Sequence, residues 1–290
     1  MRDLLRIIIA ALSIVMIFTI VGCGASDGDL PKAEDAEENN GENGGDEEVK
    51  KTSILFIGNS YTYYNEMPKT IFKTYLEAAG YEVEVDSITK GGYKLSQFAD
   101  PRDEYGARVE ATLTGEKTYD YVILQEQSIR PCSENAGDFY EATRNLVGRI
   151  RATGAEPILY ATWGRKTGNE TLDKYGWTNE SMTWMLAAAY SAIGEELGVR
   201  VIHVGVAFHD VFTKYPNIEI YHTDKTHPSY DGSFIAALML ASGIFGIDPT
   251  EIGYKGAMPA SRAAVLFESV KYALSDEWSI PDEYKTDTGK

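Results

Sequence analysis

The chain has 290 residues and a formal net charge of −17 at pH 7. Because nucleic-acid binding needs a basic surface, this acidic balance argues against a nucleic-acid partner. The first fifty residues lack a globular pattern, and the roughly 240 that follow are enough for one domain with a full core.

The N-terminus has the pattern of a targeting segment. Two arginines near the start precede an almost entirely apolar run over residues 7–21, as in a signal peptide. The sequence Ile-Val-Gly-Cys at 20–23 resembles the lipobox of bacterial lipoproteins. The resemblance implies a signal peptide over 1–22, lipidation of Cys23 and an extracytoplasmic domain anchored to the bacterial cell membrane. A single transmembrane anchor is the alternative, since the apolar run nearly reaches spanning length.

Residues 23–50 are predicted to form an acidic linker. Ten Asp or Glu and two Lys lie between positions 27 and 50, a net charge of −8. A polyanionic segment of this kind cannot bury a core, and we expect it to be disordered. The folded domain is therefore predicted to cover residues 51–290.

Strand and helix patterns alternate along this domain. Short apolar runs predict strands, and amphipathic stretches between them predict helices. Such alternation is typical of βαβ units, so we predict an α/β fold: a three-layer α/β/α sandwich around a flavodoxin-like, five-stranded parallel sheet. The predicted strands cover 54–57, 82–86, 119–124, 157–163 and 199–205. The predicted helices cover 65–79, 139–152, 181–197, 229–245 and 259–274, and 164–180 is predicted to be a long loop.

Polar or glycine residues follow three of these predicted strands. Ser60 ends the first strand within Gly-Asn-Ser, Gly91 and Gly92 follow the second, and Gln125 and Gln127 follow the third. Ligands bind at the carboxyl edge of open α/β sheets, where all of these positions should lie. Ordinary turn chemistry is the alternative explanation for each of them.

A serine nucleophile also needs a base and a group that orients the base. The chain has four histidines. His203 lies in a predicted strand and is expected to be a core residue, whereas His209 and His222 could face solvent. His227 lies in a predicted loop, three residues after Asp224. An aspartate at this spacing can reach Nδ1 of the imidazole and leave Nε2 for the serine.

Taken in order, these blocks resemble the SGNH hydrolases, also called GDSL-like esterases and lipases, over about residues 52–248. The resemblance implies the SGNH hydrolase fold, with Ser60 as nucleophile, His227 as base and Asp224 as the orienting group. It further implies an oxyanion hole that includes the N–H groups of Ser60 and Gly92. Gly91 is the alternative to Gly92.

Two positions depart from the family pattern. Asn59 stands where the family has aspartate, and Gln-Glu-Gln-Ser at 125–128 stands where it has Gly-x-Asn-Asp. The chain looks most like a poorly characterised acetylesterase-like branch with glutamine at this strand end. We therefore assign the third oxyanion donor to Gln125, with Gln127 as the alternative.

The implied activity is a serine carboxylic ester hydrolase that needs no cofactor and no metal. We expect hydrolysis of short acyl esters, O-acetyl groups above all, on small molecules, carbohydrate or cell-wall glycan. Trp163 ends the fourth predicted strand, and Tyr175 and Trp177 lie in the predicted loop after it. These aromatic side chains could stack on sugar rings, or simply anchor the loop. The alternatives are a glycan-binding lipoprotein of the same fold with little catalysis, and a flavodoxin-like anion-binding module.

Overall fold

The structure is a computed structural model that describes residues 51–285. The predicted signal peptide, the lipidation site at Cys23 and the acidic linker lie outside the described residues. Among residues 51–285, no helix combines the length and the apolar character needed to cross a bilayer.

Five strands form one sheet. They are β1 Thr52–Gly58, β2 Val83–Thr89, β3 Tyr121–Leu124, β4 Glu156–Ala161 and β5 Arg200–His203. Every adjacent pair is parallel, and the strand order is β2-β1-β3-β4-β5. The predicted α/β fold with a five-stranded parallel sheet is confirmed, and all carboxyl strand ends lie at one edge.

Ten α-helices surround the sheet within the described residues. They are α1 Ser60–Tyr63, α2 Lys73–Ala78, α3 Leu95–Ala99, α4 Glu104–Leu113, α5 Ala136–Ala152, α6 Glu170–Tyr175, α7 Asn179–Leu197, α8 Val204–Lys214, α9 Tyr230–Phe245 and α10 Ala260–Leu274. A 3₁₀ turn at Tyr64–Glu66 and a π-helical segment at Met67–Phe72 connect α1 to α2. Two further 3₁₀ turns lie at Arg130–Cys132 and Asp282–Tyr284.

The side chains of β1 divide the core into two layers, because successive residues of a strand point to opposite faces. Ile54 and Phe56 pack with α2, α8, α9 and α10. Leu55 and Ile57 pack with α3, α4, α5 and much of α7. All four side chains are buried, as expected for a parallel strand covered on both faces.

Three predictions about local structure are wrong. The predicted helix over 65–79 is replaced by a 3₁₀ turn, the π-helical segment Met67–Phe72 and the short helix α2. The fifth strand ends at His203 and α8 begins at Val204, so helix α8 was missed. The apolar residues of 199–205 continue into the helix without a break, which hides the boundary between strand and helix. The predicted loop over 164–180 contains the short helix α6, whose first turn is capped by the Asn169 side chain.

Candidate active site

Ser60 is the first residue of α1, directly after the carboxyl end of β1. Asn59 is the N-cap, and its side-chain oxygen accepts a hydrogen bond from the Tyr61 N–H at 3.1 Å. The N–H of a first helical residue has no partner within its helix. Ser60 therefore combines a largely buried hydroxyl with a backbone N–H at the positive end of a helix turn.

His227 connects Ser60 to Asp224. The Ser60 Oγ lies 2.8 Å from the His227 Nε2, and the His227 Nδ1 lies 2.6 Å from an Asp224 carboxylate oxygen. The other carboxylate oxygen accepts the backbone N–H groups of Thr226 and His227, each at 2.9 Å. This arrangement sets Nδ1 as the protonated nitrogen and leaves Nε2 free to accept the serine proton.

Asp224 remains ionised across the physiological range. Burial by itself would raise the pKa of this carboxyl, but the hydrogen bonds from the His227 side chain and from two backbone N–H groups outweigh it. Together they lower the pKa of Asp224 to about 2. The carboxylate can therefore stabilise a positive charge on His227.

The other three histidines differ in their contacts, and the His222 Nδ1 lies 3.6 Å from the same Asp224 carboxylate oxygen that meets His227. Ser191 Oγ lies 3.2 Å from the ring of His203, and burial lowers the pKa of His203 to about 4. The ring of His209 lies 3.1 Å from the side-chain oxygen of Asn179. His222 is exposed, as its sequence position allowed. Only the predicted base, His227, contacts the predicted nucleophile.

Gly91 and Gly92 lie in an exposed turn after β2, which we call the glycine loop. It lies next to residues 58–60, the turn from β1 into α1, which we call the serine turn. Gly92 has φ +73°, a conformation that favours glycine. The Asn59 amide donates a hydrogen bond to the Tyr93 carbonyl at 3.0 Å, which ties the serine turn to this loop. An ionised aspartate has no proton to donate in that bond, so asparagine at position 59 suits this contact.

Gln125 does not lie where the predicted oxyanion role requires it. Its side chain is fully buried. Its oxygen accepts hydrogen bonds from the Asn59 N–H at 2.9 Å and the Thr62 hydroxyl at 2.8 Å, and its amide group donates to the Glu126 carbonyl. A Cβ on Gly58 would lie 2.7 Å from the same oxygen. Gln125 therefore supports the serine turn from inside and is not a donor presented to a substrate.

Gln127 is the other glutamine at this strand end, and it is partly exposed. Its side-chain oxygen accepts the Ile129 N–H at 3.1 Å. Its amide nitrogen has only a long contact, 3.5 Å, with the Ser128 hydroxyl. The Gln127 amide group is therefore less engaged within the protein than that of Gln125.

Glu126, between these glutamines, is a buried acid that sequence reasoning missed. Its carboxylate accepts the Leu95 N–H at 3.2 Å and the Gln127 N–H, and its own N–H donates to the Tyr190 hydroxyl. Burial raises the pKa of Glu126 to about 7, although the two N–H donors oppose the rise. The side chain links the end of β3 to the segment that follows the glycine loop.

The two tryptophans have different environments. Trp163 is fully buried, stacked between Tyr61 and Phe208 at centroid distances of 4.4 and 4.1 Å. Its indole N–H donates to the carbonyl of Thr226, which lies in the loop that carries Asp224 and His227, the histidine loop. Trp163 therefore cannot offer its face to a sugar, and the expectation of a substrate-stacking role for it is wrong.

Trp177 is half-buried and stacks on Tyr175, whose side chain is 40% exposed, with the centroids 4.5 Å apart. Tyr63, in α1, is also 40% exposed. Its hydroxyl would lie 3.0 Å from a Cβ on Gly91, so this ring borders the glycine loop. Exposed aromatic surface thus remains on both the serine turn and the α6 segment.

Two contacts of the segment after α1 had no clear sequence signal. The ring of Tyr64 stacks on the imidazole of His227, and Asn65 bonds to the chain that follows His227. The sequence offered only a run of tyrosines and a polar residue that looked like the start of a helix. Within residues 51–285, no cluster of three or more His, Cys, Asp or Glu side chains forms a metal-binding group.

Comparisons with solved structures identify the fold. The chain is 29% identical to a protein from Slackia heliotrinireducens described as a candidate SGNH hydrolase, with a TM-score of 0.60, over 67% of this chain and 100% of that chain. A DUF4886 family protein from Bacteroides uniformis is 17% identical, with a TM-score of 0.67, over 81% of this chain and 99% of that chain. A GDSL-like lipase candidate from Parabacteroides merdae is 14% identical, with a TM-score of 0.50, over 67% and 96% of the two chains.

The chain has the SGNH hydrolase fold. No protein-family model matches it, and no curated protein matches it. The structural neighbours support a hydrolase of the SGNH or GDSL-like type. In this fold the Ser60, His227 and Asp224 side chains meet at the carboxyl edge of the sheet, the edge at which open α/β sheets bind ligands.

Proposed function

We propose that this protein is a serine esterase that hydrolyses short acyl esters. The observation that carries the proposal is the continuous contact from Ser60 Oγ to His227 to Asp224, with distances of 2.8 and 2.6 Å. A nucleophile within hydrogen-bond reach of a base, itself oriented by a third group, is the arrangement required for covalent catalysis.

In the proposed reaction, Ser60 Oγ attacks the acyl carbon while His227 Nε2 takes the hydroxyl proton. The protonated imidazole then gives this proton to the leaving alkoxide, and the alcohol departs from an acyl-enzyme at Ser60. Water attacks the acyl carbon in the second half, with His227 again as base, which releases the carboxylic acid and restores the serine. Ionised Asp224 stabilises the imidazolium in both halves.

The proposed oxyanion hole contains the N–H groups of Ser60 and Gly92 and the side-chain amide of Gln127. Ser60 lies at a helix start, and the loop of Gly92 is tied to the serine turn through Asn59 and Tyr93. Gln127 replaces Gln125 in this assignment because the Gln125 amide is engaged inside the protein. Each donor of this kind is worth on the order of 10²–10³ in rate.

For the substrate, we propose an O-acetyl group on a carbohydrate. The aromatic rings of Tyr63 and Tyr175 are exposed, and Tyr63 borders the glycine loop. Aromatic side chains with a few directed polar groups are typical of small-molecule and saccharide sites. We further propose, from the N-terminal pattern alone, export and lipid anchoring at Cys23.

The test is hydrolysis of 4-nitrophenyl acetate by the purified protein. We expect turnover by the wild type and a loss of at least about 10³-fold in Ser60→Ala and in His227→Ala. Ser261→Ala, on the exposed surface of α10, is the matched control and should retain the wild-type rate.

The acyl preference can be read from the same assay with esters of increasing chain length, and the alcohol preference from acetylated oligosaccharides. Wild-type turnover that survives Ser60→Ala would contradict the proposed nucleophile. Saccharide binding without any ester hydrolysis would instead favour a glycan-binding protein of this fold.

A further inference from the structure

The backbone is strained directly after the serine-bearing helix. Asn65 has φ +54° and Glu66 has φ +53°, so two successive residues other than glycine occupy the left-handed region. Asparagine tolerates this conformation, whereas it is unfavourable for glutamate. Strain of this kind persists where surrounding contacts over-determine the chain, often at functional sites.

Asn65 supplies such contacts. Its side-chain amide donates to the Ser233 hydroxyl at 2.8 Å and to the Ser229 carbonyl at 3.0 Å, with a longer contact of 3.4 Å to the Pro228 carbonyl. The Ser233 hydroxyl in turn donates to the Tyr64 carbonyl at 3.3 Å. These bonds join the chain after the nucleophile to residues 228–233, directly after His227.

Tyr64 adds a contact with the base itself. Its ring is nearly parallel to the His227 imidazole, with an interplanar angle of 9° and centroids 4.3 Å apart. Tyr61 meets the same imidazole edge-on, at 5.7 Å. The imidazole is therefore held by Asp224 at one nitrogen and by two aromatic rings around it.

We propose that Tyr64 and Asn65 are positioning residues for His227. Asn65 fixes the distance between the serine turn and the histidine loop, and Tyr64 fixes the plane of the imidazole so that Nε2 faces Ser60. This proposal rests on the proposed function, because it assigns these two residues to the same catalytic histidine.

Two physical effects follow from this arrangement. A base that is already oriented needs no reorganisation when the serine proton moves, and a misplacement of about 1 Å can cost on the order of 10² in rate. The electron-rich face of the Tyr64 ring also favours the positive charge that His227 carries once it has taken the proton. Both effects act on the chemical step and leave substrate binding unchanged.

Asn65→Gly tests the first contact, because glycine accepts the positive φ without strain and removes only the amide. Glu66→Gly is the matched control: it relieves strain at the adjacent position and leaves the Asn65 bonds in place. Tyr64→Leu removes the stacked ring, and Tyr64→Phe restores it without the hydroxyl.

The first readout is the low-field NMR signal of the His227 Nδ1 proton, assigned by its loss in His227→Ala. We expect this signal in the wild type and in Glu66→Gly, and its loss or broadening in Asn65→Gly and Tyr64→Leu. The second readout is kinetic: kcat for 4-nitrophenyl acetate should fall by about 10- to 100-fold in these two variants, with KM within about twofold of the wild-type value. Tyr64→Phe should recover most of the loss.

Equal behaviour of Asn65→Gly and Glu66→Gly in both readouts would overturn the role of the Asn65 amide, and full activity of Tyr64→Leu would overturn that of the stacked ring. Absence of the proton signal in the wild type would also contradict the proposal. The NMR readout needs no turnover. An ordered His227 in a protein that hydrolyses no ester would therefore refute the proposed function and leave the positioning roles supported.

Discussion

Substitution of Glu126 by glutamine should change how stability depends on pH. Glu126 is fully buried at the end of β3, and burial raises its pKa from the ordinary 4.5 to about 7. The folded state therefore binds this proton more tightly than the unfolded state. Below about pH 4.5 the carboxyl is neutral in both states, and as pH rises from 4.5 through 7 the folded state loses stability.

The size of this loss follows from the two pKa values. The difference between 7 and 4.5 corresponds to about 3 kcal/mol of unfolding free energy once the pH is well above 7, at about 1.4 kcal/mol per pKa unit. More than about 2 kcal/mol of it should appear between about pH 5 and pH 8.5. Glutamine at this position cannot ionise, so Glu126→Gln should lack this component.

Urea unfolding at about pH 5 and pH 8.5 measures the effect. For each protein, the unfolding free energy at pH 8.5 is subtracted from that at pH 5, and the value for Glu126→Gln is then subtracted from the wild-type value. The contributions of the other titrating groups cancel because both proteins have them. Glu116→Gln, at an exposed position, controls for the loss of a carboxylate and should behave like the wild type. If the unfolding free energies of the wild type and Glu126→Gln fall by the same amount, within about 0.5 kcal/mol, Glu126 does not carry a raised pKa in the folded state.

Three further substitutions test other parts of the site. Gly58→Ala should destabilise the fold by about 1–3 kcal/mol and reduce esterase activity, because its Cβ would lie 2.6 Å from the Thr62 hydroxyl. The control is Gly148→Ala on α5, where a Cβ would meet open space, and it should not destabilise the fold. Trp163→Ala should lower the unfolding free energy by about 3–5 kcal/mol in the same urea assay. Asp224→Asn should reduce kcat by up to about 10⁴ with little change in the unfolding midpoint, and an unaltered kcat would contradict its orienting role.

The sequence predicted the sheet and the three residues of the candidate triad because both depend on local chemistry. Buried parallel strands are continuous apolar runs, and their ends are marked by Gly-Asn-Ser or by glycines. The Asp-x-x-His spacing lies within one turn of chain, so Asp224 and His227 could be paired without knowing the fold. The contact of His227 with Ser60, 167 positions away, came only from the structure.

The assignment at the end of β3 could not be made from sequence. Side chains two positions apart in a continuing strand would point to the same side, so the different contacts of Gln125 and Gln127 arise from the way the chain turns after β3 ends at Leu124. The structure places Gln125 against Asn59, and Gln127 is left partly exposed. The local sequence Gln-Glu-Gln-Ser does not show where this turn begins, so it does not distinguish the two glutamines.

The burial of Trp163 and the contacts of Tyr64 are similarly non-local. Trp163 is buried by Tyr61 and Phe208, which lie about a hundred positions before it and 45 after it in the sequence. Tyr64 meets His227 across 163 positions. An aromatic residue after a strand looks alike in sequence whether it anchors a loop or faces a ligand, so only the packing separates these roles.

Activation of Ser60 by His227 can be measured without knowing the substrate. The purified protein is incubated with a fluorophosphonate, and the modified residue is located by mass spectrometry of its peptides. We expect a stoichiometric adduct on Ser60 in the wild type, with a rate that falls by at least about 10³-fold in His227→Ala. An adduct on another residue, no adduct at all, or an undiminished rate in His227→Ala would contradict this activation.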